Sequence, residues 1–261
     1  MSTVTPYTPK TVVTRFAPSP TGFFHIGSVR TALFSYAFAK KHGGKMLLRI
    51  EDTDRVRSKK EYEEDILEGL AWLGISFDGP YRQSERGEIY KTYLEKLLVS
   101  GDAYWTKEGE EEKGGTVIRF KNPNKKVRFI DVVRGEIEFD TTELKDFVIA
   151  RTRESPLFHF AVVVDDHEMG VTHLIRGEDH ISNTPRQVLI QEALGIRAPV
   201  YAHLPLVLAP DKSKLSKRNL SQGVALRDYQ KAGYLSDAIT NFVALLGWSP
   251  SEEGREVFTT E

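Results

Sequence analysis

The stretch RFAPSPTGFFHIGSVRTALF, residues 15–34, decides the fold. Thr11 to Phe16 is short, β-branched and apolar, the pattern of a strand, and it runs into Ala17-Pro18-Ser19-Pro20-Thr21-Gly22, where two prolines and a glycine forbid regular structure. From Val29 the apolar positions Val29, Ala32, Leu33, Tyr36 and Ala37 recur at helical spacing, so an amphipathic helix is expected, ended by His42-Gly43-Gly44. Lys45 to Ile50 reads as a second strand, because Met46, Leu47, Leu48 and Ile50 form a near-continuous apolar run fit for burial on both faces. After the charged loop Glu51-Asp52-Thr53-Asp54-Arg55, Ser58 and Glu61 fit a capping box, opening a helix whose Tyr62, Ile66, Leu67, Leu70 and Leu73 face a core before Gly74. Strand, helix, strand, helix predicts an α/β fold with a parallel sheet covered by helices.

From about Gly101 to Ser155 the pattern changes to short β-rich runs at Thr116–Phe120, Lys126–Ile130, Glu136–Asp140 and Phe147–Arg151, read as a small, mostly antiparallel insertion. The α/β pattern then resumes. Phe160–Val164 and Val171–Ile175 read as strands around the turn Asp165-Asp166-His167-Glu168-Met169-Gly170, whose Asp165-Asp166-His167 reads as a polar turn rather than a metal site. Thr184 reads as the cap of a helix with Pro185 at its first position, ending near Gly195. Tyr201–Leu208 is a further strand, and helical patterns follow at Leu226–Ala232 and, capped by Ser236, at Asp237–Leu246. Phe258 to Glu261 reads as the first turn of a helix that does not follow, so a fragment or minimal form of a longer architecture is expected.

Composition narrows the classes. In 261 residues, 36 Lys and Arg against 37 Asp and Glu leave a net charge of −1, so no global basic field recruits nucleic acid, and RNA contact must be local. The absence of cysteine excludes disulfides, thiol nucleophiles and cysteine-ligated zinc. The polar N-terminus and the lack of an apolar run near the ~18 residues of a membrane span predict a cytoplasmic protein with no membrane association. A monomer is the default expectation.

Two segments carry anion chemistry. Pro18 to Ser28 lies at a strand-to-helix junction, where free backbone N–H groups and the helix dipole favour a phosphate. Gly27 there lets a ligand approach the backbone, and His25 can donate to phosphate oxygens as charge builds. Taken alone, His-x-Gly is more often a turn with an incidental histidine. The second segment, Ala209 to Arg218, holds Lys212, Lys214, Lys217 and Arg218 against Asp211, a local charge of +3 after a predicted strand. Its lysines are flexible point charges suited to following pyrophosphate as it leaves. Together the loops occupy two predicted strand ends, where an open α/β sheet keeps its crevice.

These blocks resemble a known family. HIGS is similar to the HIGH signature and KLSKR to the KMSKS signature of class I aminoacyl-tRNA synthetases. RFAPSPTGFFHIGSVRTALF, LLRIEDTDR, VVVDDHEMGVTHLIRGEDHISNTPRQ, HLPLVLAPDKSKLSKR and GYLSDAITNFVALLGW resemble glutamyl-tRNA synthetases, over about residues 11 to 258. The resemblance implies ATP-dependent activation of L-glutamate to glutamyl-adenylate, then transfer to the 3′-terminal adenosine of tRNA(Glu). It implies a Rossmann-like sheet divided as 1–100 and 158–218, an abbreviated β-rich acceptor-binding insertion at 101–157, and a helical C-terminal extension from 219 to 261.

The family's glutamate site maps onto Arg15, Ala17, Ser19, Glu51, Phe158 and Arg176. A guanidinium, most readily that of Arg15 supported by Arg176, suits the side-chain carboxylate, and Glu51 suits the α-ammonium. His25, Gly27, Ser28, Lys214, Ser216 and Lys217 map to ATP, with His25, Lys214 and Lys217 as the catalytic set. Magnesium is expected to arrive with ATP, and no zinc or dedicated metal site is expected.

Three departures stand out. Phe158 replaces the tyrosine whose hydroxyl the family uses to orient glutamate. The insertion lacks the cysteine-rich segment and carries 11 basic against 12 acidic residues over 101–157, too balanced for a strong phosphate field. The 261 residues leave no room for an anticodon-binding domain, so recognition of tRNA by this stretch is expected to rest on the acceptor end. The alternatives are a glutamyl-queuosine tRNA(Asp) synthetase, or a non-catalytic paralogue that binds tRNA or a partner protein.

Overall fold

A computed structural model describes residues 2–4, 11–107, 115–207, 225–249 and 257. The chain forms two compact units, one of residues 10–81, 174–179 and 204–261, the other of residues 1–9, 82–173 and 180–203.

The unit that holds residues 15–34 follows the sequence pattern. Strand β2 (Val13–Phe16) pairs in parallel with β3 (Lys45–Ile50), with Arg15 opposite Leu47 and Phe16 opposite Leu48, and β4 (Asp78–Arg82) lies on the other side of β3. Helix α1 (Ile26–Lys41) connects β2 to β3, and α2 (Lys60–Trp72) follows β3. Their apolar faces close one core, in which Phe16, Phe24, Val29, Leu33, Leu48, Ile50, Ile66 and Leu70 pack with Leu226 of α6 (Leu226–Lys231) and with Ile239 and Val243 of α7 (Ser236–Leu245). The helical C-terminal extension therefore completes the same core as the first strand and helix.

The other unit holds two sheets. An antiparallel sheet runs β10 (Ser155–Pro156), β9 (Phe147–Thr152), β6 (Thr116–Phe120), β5 (Ala103–Lys107). In the second sheet, β7 (Lys126–Asp131) is parallel to β1 (Ser2–Val4) and β12 (Val200–Leu204), and forms a hairpin with β8 (Gly135–Asp140). Strand β11 (His173–Gly177) carries the chain from one unit into the other. The four β runs expected between 101 and 155 are all present, but they are divided between the two sheets. Helices α3 (Gly87–Ser100), α4 (Phe158–Glu168) and α5 (Thr184–Ala193) complete the unit.

The structure corrects several local expectations. Phe160–Val164 is not a strand but the middle of α4, and Asp165-Asp166-His167 is not a polar turn but the last turn of that helix. The five apolar residues and both aspartates are buried, so this stretch of the helix has no solvent face and shows no helical period. Asp165 is kept inside by Gln83 Nε2 (2.7 Å), Arg86 Nε (2.6 Å) and Tyr90 Oη (2.8 Å), all donating to its carboxylate. The side-chain caps read at Ser58, Thr184 and Ser236 do not form. Ser58 instead donates its backbone N–H to Asp54 O, closing the charged loop, and Thr184 Oγ1 donates to His180 O.

A buried, hydrogen-bonded Asp131–His203 pair holds the β7–β8 hairpin to β12. Asp131 accepts the backbone N–H groups of Val133 and Arg134, both at 2.9 Å, and that of His203 at 3.1 Å. His203 Nδ1 stands 2.6 Å from Asp131 Oδ2, so the ring nitrogen carries the proton. Burial pushes the Asp131 carboxyl up, but the hydrogen bonds from His203 and the backbone outweigh it and hold the group below its ordinary value. A carboxyl held low in the folded state stabilises it above its unfolded pKa, and the contribution is lost as pH falls through the lower, folded value. Asp131→Asn should therefore cost about 1–3 kcal/mol in urea melts at pH 7. The gap from wild type should narrow as pH falls below the ordinary carboxyl range, where first the unfolded and then the folded wild-type chain takes up a proton at this group; equal stability at pH 7 would show that the Asp131–His203 contact does not hold the hairpin.

Candidate active site

The site begins where β2 and β3 end. Thr14 Oγ1 donates to Ser35 O in α1 at 2.8 Å, so the next side chain, Arg15, leaves the opposite face of the sheet, and it is buried. Past the strand, Ala17 is half-buried and Ser19 exposed. The prolines of this loop offer carbonyls only, and two are taken by the loop after β3: Glu51 N–H donates to Pro18 O at 2.9 Å and Lys59 N–H to Pro20 O at 3.0 Å. The two strand-end loops are thereby laced together. Glu51 is buried, and the wholly buried Arg49 lies 3.3 Å from its Oε1. Arg176, on β11, belongs to the same unit and is also buried.

The HIGS turn is fixed by its own residues. His25 is the extended N-cap of α1, and its Nδ1 accepts the N–H of Ser28 at 3.3 Å while Nε2 lies 2.9 Å from Ser28 Oγ. With Nδ1 accepting, the ring proton sits on Nε2 and is donated to the Ser28 hydroxyl. A Cβ on Gly27 would come within 3.2 Å of the imidazole, so glycine gives the ring its room. From below, Asp65 of α2 accepts the N–H of Phe24 at 2.6 Å. Phe23 is flanked edge-on by Tyr62, with 4.9 Å between centroids, and faced by the guanidinium of Arg227 at 3.2 Å.

Residues beyond the basic loop meet this turn directly. Leu226 N–H donates to Phe24 O at 2.7 Å, and Ala225 forms an antiparallel bridge with His25. Lys214, Ser216 and Lys217 themselves lie outside the described residues. Arg15, Ala17, Ser19, His25, Gly27, Ser28, Glu51 and Arg176 share one unit, whereas Phe158 stands in the other, at the start of α4, its ring 5.8 Å from that of His180. The sequence reading did not single out Asp65, Gly69 or Arg227. A glycine inside an amphipathic helix was the one available signal, pointing to a close approach at Gly69.

Among the described residues no three His, Asp or Glu side chains are grouped to hold a metal ion.

Known proteins resemble this chain in sequence and fold. The family described as tRNA synthetases class I (E and Q), catalytic domain, matches residues 11–112 and 105–261. The glutamate--tRNA ligase of Aquifex aeolicus is 50% identical across 96% of this chain and 60% of its own length. Glutamate--tRNA ligase 1 of Rubrobacter xylanophilus is 53% identical across 94% and 55%. A crystal structure of a glutamate tRNA ligase from Elizabethkingia meningosepticum, in complex with its amino acid, superposes with a TM-score of 0.88 at 37% identity, over 96% of this chain and 63% of that one. The chain spans about 60% of the length of the curated relatives it matches.

Gly69 tests the packing under the turn. A Cβ there would fall 2.6 Å from Phe24 Cδ1 and 2.9 Å from Leu226 Cδ2. In an open helix, alanine for glycine stabilises by roughly 0.5–1 kcal/mol. Gly69→Ala should instead destabilise by about 1–3 kcal/mol in chemical denaturation; a gain in stability would show that Phe24 and Leu226 are not packed as described.

Proposed function

Because the chain belongs to the class I tRNA synthetases of the glutamate and glutamine branch, with their Rossmann-like α/β fold, we propose that it activates L-glutamate with ATP and charges the 3′-terminal adenosine of tRNA(Glu). A carboxylate oxygen of glutamate attacks the α-phosphorus, the bond to the β-phosphate oxygen breaks, and pyrophosphate leaves. No protein nucleophile takes part, so the chain's contribution is placement and charge.

In this reading Arg15, supported by Arg176, grips the side-chain carboxylate of glutamate, and Glu51 receives its ammonium, with Ala17 and Ser19 lining the loop between them. Burial suits both arginines to this task, since a guanidinium out of bulk water forms stronger paired hydrogen bonds to a carboxylate. His25, Gly27 and Ser28 meet ATP at the start of α1. The Nε2 proton of His25, held by Ser28 in the free protein, is the donor available to a phosphate oxygen. Lys214, Ser216 and Lys217 follow the β- and γ-phosphates, Lys217 foremost. Magnesium, when bound with ATP, supplies further neutralisation of phosphate charge. The 101–157 insertion receives the acceptor end of tRNA.

One observation carries the proposal: the chain that emerges from the KLSKR segment is hydrogen-bonded, at Ala225 and Leu226, to the HIGS turn itself. That contact brings the chain, seven residues past Arg218, to the first anion-binding segment, which supports the reading. The relatives' common name, glutamate--tRNA ligase, supports glutamate and tRNA as the substrates.

Pyrophosphate exchange into ATP, measured with each of the twenty amino acids and with and without tRNA(Glu), tests the reading. Exchange is expected with glutamate alone. Its absence under all conditions, or exchange with another amino acid, would contradict it. The assignment of Phe158 to glutamate is tested in the same assay. Phe158→Tyr restores one hydrogen bond, worth on the order of 1 kcal/mol, and should lower the KM for glutamate several-fold; an unchanged or higher KM would exclude Phe158 from the site.

A further inference from the structure

Resting on the activation reading above, we propose that Arg30 and Glu178 form a latch on the Pro205–Leu206 peptide and act as positioning residues for the lysines of the KLSKR segment. Arg30 lies in α1, five residues after His25, and is buried. Its Nη2 donates to Pro205 O, and its Nη1 donates to Leu246 O, just past α7, at 2.8 Å. At the adjoining residue, Glu178 Oε1 accepts the N–H of Leu206 at 2.8 Å. One peptide segment is thus held through its carbonyl by a cation and through its N–H by an anion, and the two side chains attract each other. Burial pushes the Arg30 guanidinium down from its ordinary value, and Glu178 opposes that shift.

The place of this latch gives it its consequence. Lys214 and Lys217 follow Pro205 by nine and twelve residues, and Ala225 and Leu226, on the far side of them, are bonded to the HIGS turn. The described residues on either side of the KLSKR stretch, Pro205 and Ala225–Leu226, are therefore bonded to α1 or to the two residues just before it, the element that also sets His25. Simple packing of α1 would be met by an apolar side chain, since a buried charge costs stability unless its donors are filled. Arginine does what a smaller cation cannot, because its planar fork reaches two carbonyls from different segments at once. The Leu246 carbonyl, at the negative end of α7, is a favourable partner for that charge. Neither residue is proposed to touch substrate; they fix where the lysines start from.

The test combines kinetics with amide exchange on Arg30→Met, which keeps the apolar stem and donates nothing, on Arg30→Lys, and on Glu178→Gln. In Arg30→Met the kcat of glutamate-dependent pyrophosphate exchange should fall about ten- to a hundredfold, with the KM for glutamate unchanged. Arg30→Lys should recover part of the loss. The Leu206 amide should exchange faster with deuterium in Arg30→Met, while the amides of β2 and β3 keep their protection. Should Arg30→Met fail to fold, Glu178→Gln serves, with a smaller fall in kcat at constant KM. Wild-type kcat with a deprotected Leu206 amide would overturn the positioning role, as would a fall in kcat matched by a rise in glutamate KM. A Leu206 amide that stays protected in Arg30→Met would overturn the latch. A wild-type chain that exchanges no pyrophosphate would sink the activation reading instead, while a deprotected Leu206 in the variants would still support the latch.

Discussion

The backbone hydrogen bond from Leu226 to Phe24, at 2.7 Å, with the Ala225–His25 bridge beside it, is the constraint on which the candidate site depends. It joins residues more than 200 positions apart in sequence, and it does so at the turn where α1 exposes its first amide groups. By itself such a bond contributes only about 1 kcal/mol net. Its surroundings make it specific. Asp65 holds the Phe24 N–H on one side, and Gly69 leaves space for Phe24 and Leu226 to meet. The Leu226 side chain joins the core that Phe16, Leu48 and Ile50 build from the strands. Sheet, HIGS turn and the segment leaving the basic loop are consequently one packed object.

Charge is placed inside this object at a cost that stability alone does not explain. Arg15, Arg49, Glu51 and Arg176 are all buried in the same unit. A core of apolar side chains would serve stability as well or better, because desolvating ions often outweighs what their pairing returns. The Arg49–Glu51 contact at 3.3 Å keeps one carboxylate compensated at the end of β3. Concentrated buried charge of both signs, beside loops laced by proline carbonyls, is what a zwitterionic amino acid would require of its receptor.

Much of this was legible in the sequence, and the failures have physical causes. The order β2, α1, β3, α2 followed from period and punctuation because each helix has one buried and one solvated face. Helix α4 was misread because Phe160 to Val164 are buried on every side, and such a run looks the same in a strand. The expected caps at Ser58, Thr184 and Ser236 were misplaced because local backbone bonds and tertiary packing start those helices one or more residues away. In the site, Arg15, Glu51 and His25 were marked by motif. Asp65, Arg30 and Glu178 were not, since each acts on a backbone N–H or carbonyl, and the partner's side-chain identity leaves no trace in sequence.

The central claim is that the HIGS turn and the KLSKR segment act on one ATP. A double-mutant cycle on glutamate-dependent pyrophosphate exchange, using His25→Ala, Lys217→Ala and the pair, addresses it most directly. If both side chains grip the same triphosphate, the double variant should lose less than the sum of the single losses, with a coupling of about 1 kcal/mol or more. Strict additivity between two individually damaging substitutions would contradict a shared triphosphate.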